Sequence, residues 1–79
     1  MTREEVLSSV QDIFRDIFDD QLLEITDATS AEDIEDWDSM NHLNLVSAIE
    51  KKFSIRFALG ELQTLNNVGA MIDLMMQKI

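Results

Sequence analysis

Val6, Val10, Ile13 and Ile17 recur at intervals of three and four, with Leu7, Phe14 and Phe18 on the same side. That spacing predicts a first amphipathic helix of about 16 residues, whose apolar stripe faces a core. Thr2-Arg3-Glu4-Glu5 opens it as a capping box, Thr2 at the N-cap and Glu5 at the third helical position. Arg3, Asp12, Arg15 and Asp16 fall mostly on the opposite face. A second periodic segment runs from Ser39 to Phe53, with Leu45, Val46, Ile49 and Phe53 as its buried side. Met40, Leu43 and Ser47 line a further strip beginning at its first turn. One helix cannot bury all these apolar residues. Met40 and Leu43 are therefore either the margin of a generous core or an exposed apolar strip. A last helix carries Val68, Met71, Ile72, Met75 and Ile79, capped by Asn66 or Asn67, with Gly69 available for close helix packing.

The segments between are less regular. Residues 19–37 form a long connection in which Leu22, Leu23, Ile25 and Ile34 are the expected anchors, set among Asp, Thr and Ser that favour turns. Ordered loops of this length are usually functional. Ser30-Ala31-Glu32-Asp33 is placed to open one helical turn, and Trp37 to pack and fix the angle at which the loop enters the second helix. Phe53–Phe57 reads as an extended link. Ala58–Gln63 reads as a short helix, which Gly60 weakens by about 1 kcal/mol relative to Ala. The expectation is an all-α four-helix bundle, residues 1–79 as one domain, with a long first loop and a short third helix.

Charge sharpens this picture. Residues 1–38 hold thirteen acidic and two basic side chains, residues 39–79 three acidic and four basic, so the net charge of −10 resides in the first half. A surface this acidic repels nucleic acid and anionic lipid and favours basic protein surfaces. No apolar run approaches the roughly 20 residues of a membrane span, and Met1-Thr2-Arg3-Glu4-Glu5 lacks the apolar stretch of a signal peptide. Nor is there a cysteine, which removes disulfides, thiolate metal sites and a protein thiol nucleophile together. A cytoplasmic monomer, bound to neither nucleic acid nor membrane, is the reading that fits.

Candidate chemistry gathers at Asp36-Trp37-Asp38-Ser39-Met40-Asn41-His42-Leu43. Asp38 is a natural N-cap, so the Ser39 hydroxyl sits where loop becomes helix. Unpaired amides and partial positive charge in the first turn would stabilise a phosphate joined to that oxygen. Ser39 is thus read as the attachment point of a phosphate-linked group. Enzyme chemistry finds no support: His42 is three residues from Ser39, but no oxyanion hole or cleft is foreseeable, and a surface helix histidine is the reading. Asp33, Glu35, Asp36 and Asp38 imitate a calcium loop, yet Gly and Glu are missing from the sixth and twelfth positions counted from Asp33 or Asp36. No dedicated metal site is expected.

Asp38-Ser39-Met40 at a loop–helix junction in an acidic helical chain resembles the Asp-Ser-Leu signature of the acyl carrier proteins, with Met for Leu. Leu43, Leu45, Val46, Ile49, Glu50 and Phe53 keep that family's apolar pattern, and Phe57–Ile79 aligns with its short third and its fourth helix. The resemblance implies a non-enzyme whose Ser39 is esterified by phosphopantetheine, transferred from coenzyme A by a Mg²⁺-dependent phosphopantetheinyl transferase. Acyl groups would ride as thioesters on the arm's thiol, a borrowed sulfur in a chain without cysteine. Asp38 would help hold the transferase's metal. The second helix would present Met40, Leu43, Asn44, Ser47, Glu50 and Lys51, with Arg56 beyond, to acyl-transferring, ligase or condensing enzymes. Phe57, Leu62 and Leu65, with methionines of the last helix, are candidate walls of an acyl pocket.

The chain departs from the fatty-acid carriers in bearing Asn41, Asn44, Lys51 and Lys52 on the second helix, where they carry acids, and Arg56 and Gly60 further on. Trp37 before Asp38 replaces a small residue. These departures point to a dedicated carrier in a specialised fatty-acid or polyketide-like pathway, its partners steered by the acidic loop. An aminoacyl or peptidyl carrier, or a helical interaction module without a prosthetic group, are the alternatives.

Overall fold

The computed structural model describes residues 1–65 and 67–79, with residues 63 and 64 described in backbone only. Three α-helices form: α1 (Arg3–Ile17), α2 (Ser39–Phe53) and α3 (Val68–Lys78), with a 3₁₀ helix at Leu59–Thr64 between the last two. The short third helix is thus 3₁₀, so the described elements are three α-helices and this turn. Among the described residues the fold is all-helical, with one isolated antiparallel bridge between Ser30 and Asn67.

Each α-helix starts on a side-chain cap. Thr2 and Glu5 form the reciprocal capping box, with Glu5 N–H donating to Thr2 Oγ1 at 3.2 Å and Thr2 N–H to Glu5 Oε1 at 2.9 Å. Asp38 Oδ1 accepts from the Asn41 amide at 2.8 Å, and Asn67 Oδ1 from the Ala70 amide at 2.7 Å. Asn67 therefore caps α3; Asn66, the other candidate, lies outside the described residues. Helix α2 stops at Ser54, whose left-handed conformation (φ 55°) turns the chain while its amide bonds the Glu50 carbonyl. Only Ile55–Ala58 is left as the extended link.

The core joins α1 to both other helices. Val6, Val10, Ile13 and Phe14 meet Leu45, Val46 and Ile49 of α2 and Val68, Met71, Ile72 and Met75 of α3, all buried. Ile79 ends exposed, past the stripe.

The long loop is tied down at several points. Ile25 is buried, and its amide donates to Gln11 Oε1 at 3.0 Å, while Arg15 Nε donates to the Leu23 carbonyl at 2.7 Å. Ser30 and Asp33 close a turn on each other. Leu22, expected to anchor the loop, is 88% exposed. Its amide is held by Asp20 Oδ1 at 3.1 Å, in a local turn that points the side chain to solvent.

The loop then crosses the start of α3, where the amides of Val68 and Gly69 donate to the carbonyls of Thr29 (2.8 Å) and Asp27 (2.9 Å). Gly69 serves this crossing instead of a helix–helix contact: a Cβ there would lie 2.9 Å from the Asp27 carbonyl oxygen. Arg3 clamps the same corner, paired with Asp27 at 3.2 Å and with Asp73. Its guanidinium is held above its usual pKa, chiefly by the hydrogen bond to Asp73.

Candidate functional site

Trp37 is the hinge between core and site. It is buried, its indole meeting the ring of Phe14 edge-on at 5.2 Å between centroids. Its Nε1–H donates to His42 Nδ1 at 3.0 Å, and the two rings stack at 6.0 Å and 21°. Asn41 Nδ2 reaches back to the Asp36 carbonyl at 2.8 Å, and the Asp38 carbonyl accepts the His42 amide at 2.8 Å. Asp36, Trp37 and Asp38 before Ser39 are thereby fixed to Asn41 and His42 after it.

Ser39 itself is exposed at the first position of α2. The first-turn amides of Asn41 and His42 are taken by Asp38, which leaves those of Ser39 and Met40 without a helical acceptor. Beside the hydroxyl opens a groove of about 970 Å³. Trp37, His42 and Leu43 form one side of it, Leu62 and Leu65 another, and the loop residues Ser30–Glu32 with Asn67 close the rest. An exposed hydroxyl, free helix-start amides and an adjoining largely apolar groove fit a phosphate ester with a slender organic chain.

The other expected site residues divide. Leu62 and Leu65 line this groove, whereas Phe57 does not. Phe57 is half-buried against the core, with Lys78 Nζ 5.9 Å from its ring centroid, because the link from Ser54 carries it to the end of α3. The fully buried Met71 and Met75 belong to the core and do not reach the groove. Met40 (74%) and Leu43 (58%) are exposed, resolving the strip beside Ser39 as solvent-facing. Asn44, Ser47, Lys51 and Arg56 are exposed as well.

Glu50 differs from them. It is half-buried and its Oε2 accepts the Phe57 amide at 2.8 Å, so α2's single acid braces the link. Ser47, Glu50, Lys51 and Arg56 also border a second, smaller groove with Ser54 and Ile55. The acids of the loop do not come together as a metal-binding group among the described residues.

Sequence reasoning missed the Trp37–His42 bond and the loop's share of the groove. The indole's partner lies five residues on, a spacing that carries no periodic signal. The contribution of Ser30–Glu32 depends on the loop crossing α3, for which Gly69 was the one available cue.

An exposed serine at a helix start beside an apolar groove has the form a covalently attached carrier arm requires, and known proteins of similar sequence and fold bear on it. The family described as "Phosphopantetheine attachment site" matches residues 8–75. The solution NMR structure of a holo acyl carrier protein from Geobacter metallireducens is 49% identical, covers 91% of this chain and 83% of its own, and superposes with a TM-score of 0.85. No match was found among curated proteins. The chain belongs to the phosphopantetheine-binding acyl carrier family, and phosphopantetheine is its covalent cofactor. Carriers of this family are in general not themselves catalysts, and they work with a phosphopantetheinyl transferase and with acyl-handling enzymes. Among the described residues, no helix is long and apolar enough to cross a membrane.

Proposed function

We infer that Ser39 bears the phosphopantetheine arm and that the chain carries acyl intermediates as thioesters between enzymes of a specialised pathway. The observation that carries this reading is the exposed Ser39 hydroxyl on the rim of the groove formed by Trp37, Leu43, Leu62 and Leu65. When bound, the group supplies the thiol that a chain without cysteine lacks. The chain's own part is to hold the attachment point rigidly at the helix start and to offer an apolar shelter beside it. Leu62 and Leu65 are its walls for an acyl chain. Asp38, already the N-cap, stands next to the reacting oxygen, where a transferase's metal would need a carboxylate.

Specialisation rests on the outer face of α2. Met40 and Leu43 give it an apolar start, Asn44 and Ser47 a neutral middle, and Lys51, with Arg56 beyond, a cationic end. Glu50, the single acid of α2, is half-buried with one carboxylate oxygen engaged by the Phe57 amide. An enzyme built to grip a uniformly acidic helix would find few charge partners here. The acidic loop supplies the long-range attraction to basic surfaces instead. Intact mass spectrometry of the protein purified from its native cell tests the reading. The expected species carries the arm plus an acyl mass; a chain bearing an aminoacyl mass, or no arm at all, would contradict it.

A further inference from the structure

Resting on the reading of Ser39 as the attachment residue, we propose that His42 is a phosphodiester ligand, held by Trp37 so that its Nε2–H donates to the phosphate on Ser39. An indole N–H can only donate, so the 3.0 Å bond from Trp37 Nε1 makes His42 Nδ1 the acceptor. In the neutral ring the proton must then reside on Nε2. That nitrogen has no partner among the described residues, while the ring around it is half-buried and lines the same groove as Ser39. Stacking on Trp37, which is itself wedged against Phe14, restrains the ring's orientation.

Position and charge both favour the phosphate as the acceptor. Ser39 and His42 stand three residues apart on one helix face, a spacing that brings Cβ atoms to about 5–6 Å. The groove carries two carboxylates, Glu32 and Asp38, and neither Lys nor Arg among its described lining residues. A phosphodiester there would meet like charge, and His42 is the lining side chain that can offset it. With Nδ1 engaged by Trp37, the ring presents its Nε2–H on the groove side. His42 in this role is a positioning residue: it fixes the first atoms of the arm over the groove and takes no part in acyl chemistry.

Histidine-labelled protein, unmodified and loaded with phosphopantetheine, tests this by ¹⁵N and ³¹P NMR, with intact mass confirming the loading. Long-range ¹H–¹⁵N spectra of the unmodified protein should show the Nε2–H tautomer. Loading should slow exchange of Hε2 with water and shift it downfield. The ³¹P resonance should move in His42→Phe and stay in place in Lys51→Ala. In Trp37→Phe, which keeps a ring on Phe14 but removes the donor, the tautomer should become mixed and the Hε2 protection fall. An Hε2 unaffected by loading, or a ³¹P resonance indifferent to His42→Phe, would overturn the proposal while leaving the attachment intact. Absence of a mass gain would overturn both readings.

Discussion

The indole of Trp37 stands edge-on to the ring of Phe14, 5.2 Å away, and so ties the residue two before Ser39 to the last turn of α1. Edge-to-face pairs contribute about 0.5–1.5 kcal/mol beyond the area they bury. Trp37 also closes the end of the long loop, which gives its removal two costs. Trp37→Ala should destabilise the chain by about 3–5 kcal/mol, enough to threaten a domain of this size. Trp37→Phe should lose much less. Urea unfolding followed by circular dichroism checks both, and an alanine variant with a near-native midpoint would show that the loop is anchored elsewhere.

Gly69 sits where the loop backbone crosses the start of α3. Adding a methyl group there forces the Asp27 carbonyl away and loosens the bond it accepts from the Gly69 amide. Overpacking of this kind costs about 1–3 kcal/mol, and alanine's better helix propensity returns at most about 1 kcal/mol. Gly69→Ala should therefore lower the unfolding midpoint. A raised midpoint would mean that the crossing yields readily.

Much of this architecture was legible in the sequence because it is written in local periodicity. The stripe of Val6, Val10 and Ile13, the Thr2–Glu5 box and the Asp38 cap use neighbours three or four residues apart. The core and the helix limits follow from them, as does the exposed serine. What escaped depends on contacts distant in sequence. Leu22 looks like a core residue by composition, but a turn set by Asp20 turns it outward. Phe57 looked like a pocket wall until the left-handed turn at Ser54 carried it to Lys78. The short third helix, read from Ala58–Gln63, formed as 3₁₀, with Glu61 accepting the Ala58 amide at 2.6 Å.

That Glu61 bond has a consequence for pH. Its carboxyl is held below the usual carboxylate range, first by the Ala58 amide and then by Lys78 Nζ at 3.0 Å. Glu5 is lowered likewise by the Thr2 amide. A carboxyl whose folded pKa is depressed contributes stability that is full above its unfolded pKa. That stability is lost as pH falls through the lower folded value. The wild type should therefore lose stability on acidification below about pH 4.5. Glu61→Gln should be less stable than wild type at neutral pH and converge with it in acid. Thermal melts at moderate salt, which screens repulsion among the other acids, check this. A constant gap across pH would contradict the assignment.

The central claim is that Ser39 is the residue that takes the arm. Its most direct test is incubation of the unmodified protein with coenzyme A, Mg²⁺ and a broad-specificity phosphopantetheinyl transferase, followed by intact mass and peptide fragmentation. The wild type should gain the mass of one phosphopantetheine on Ser39, and folded Ser39→Ala should gain none. A wild-type mass that stays unchanged, or an arm acquired by the alanine variant, would contradict the account.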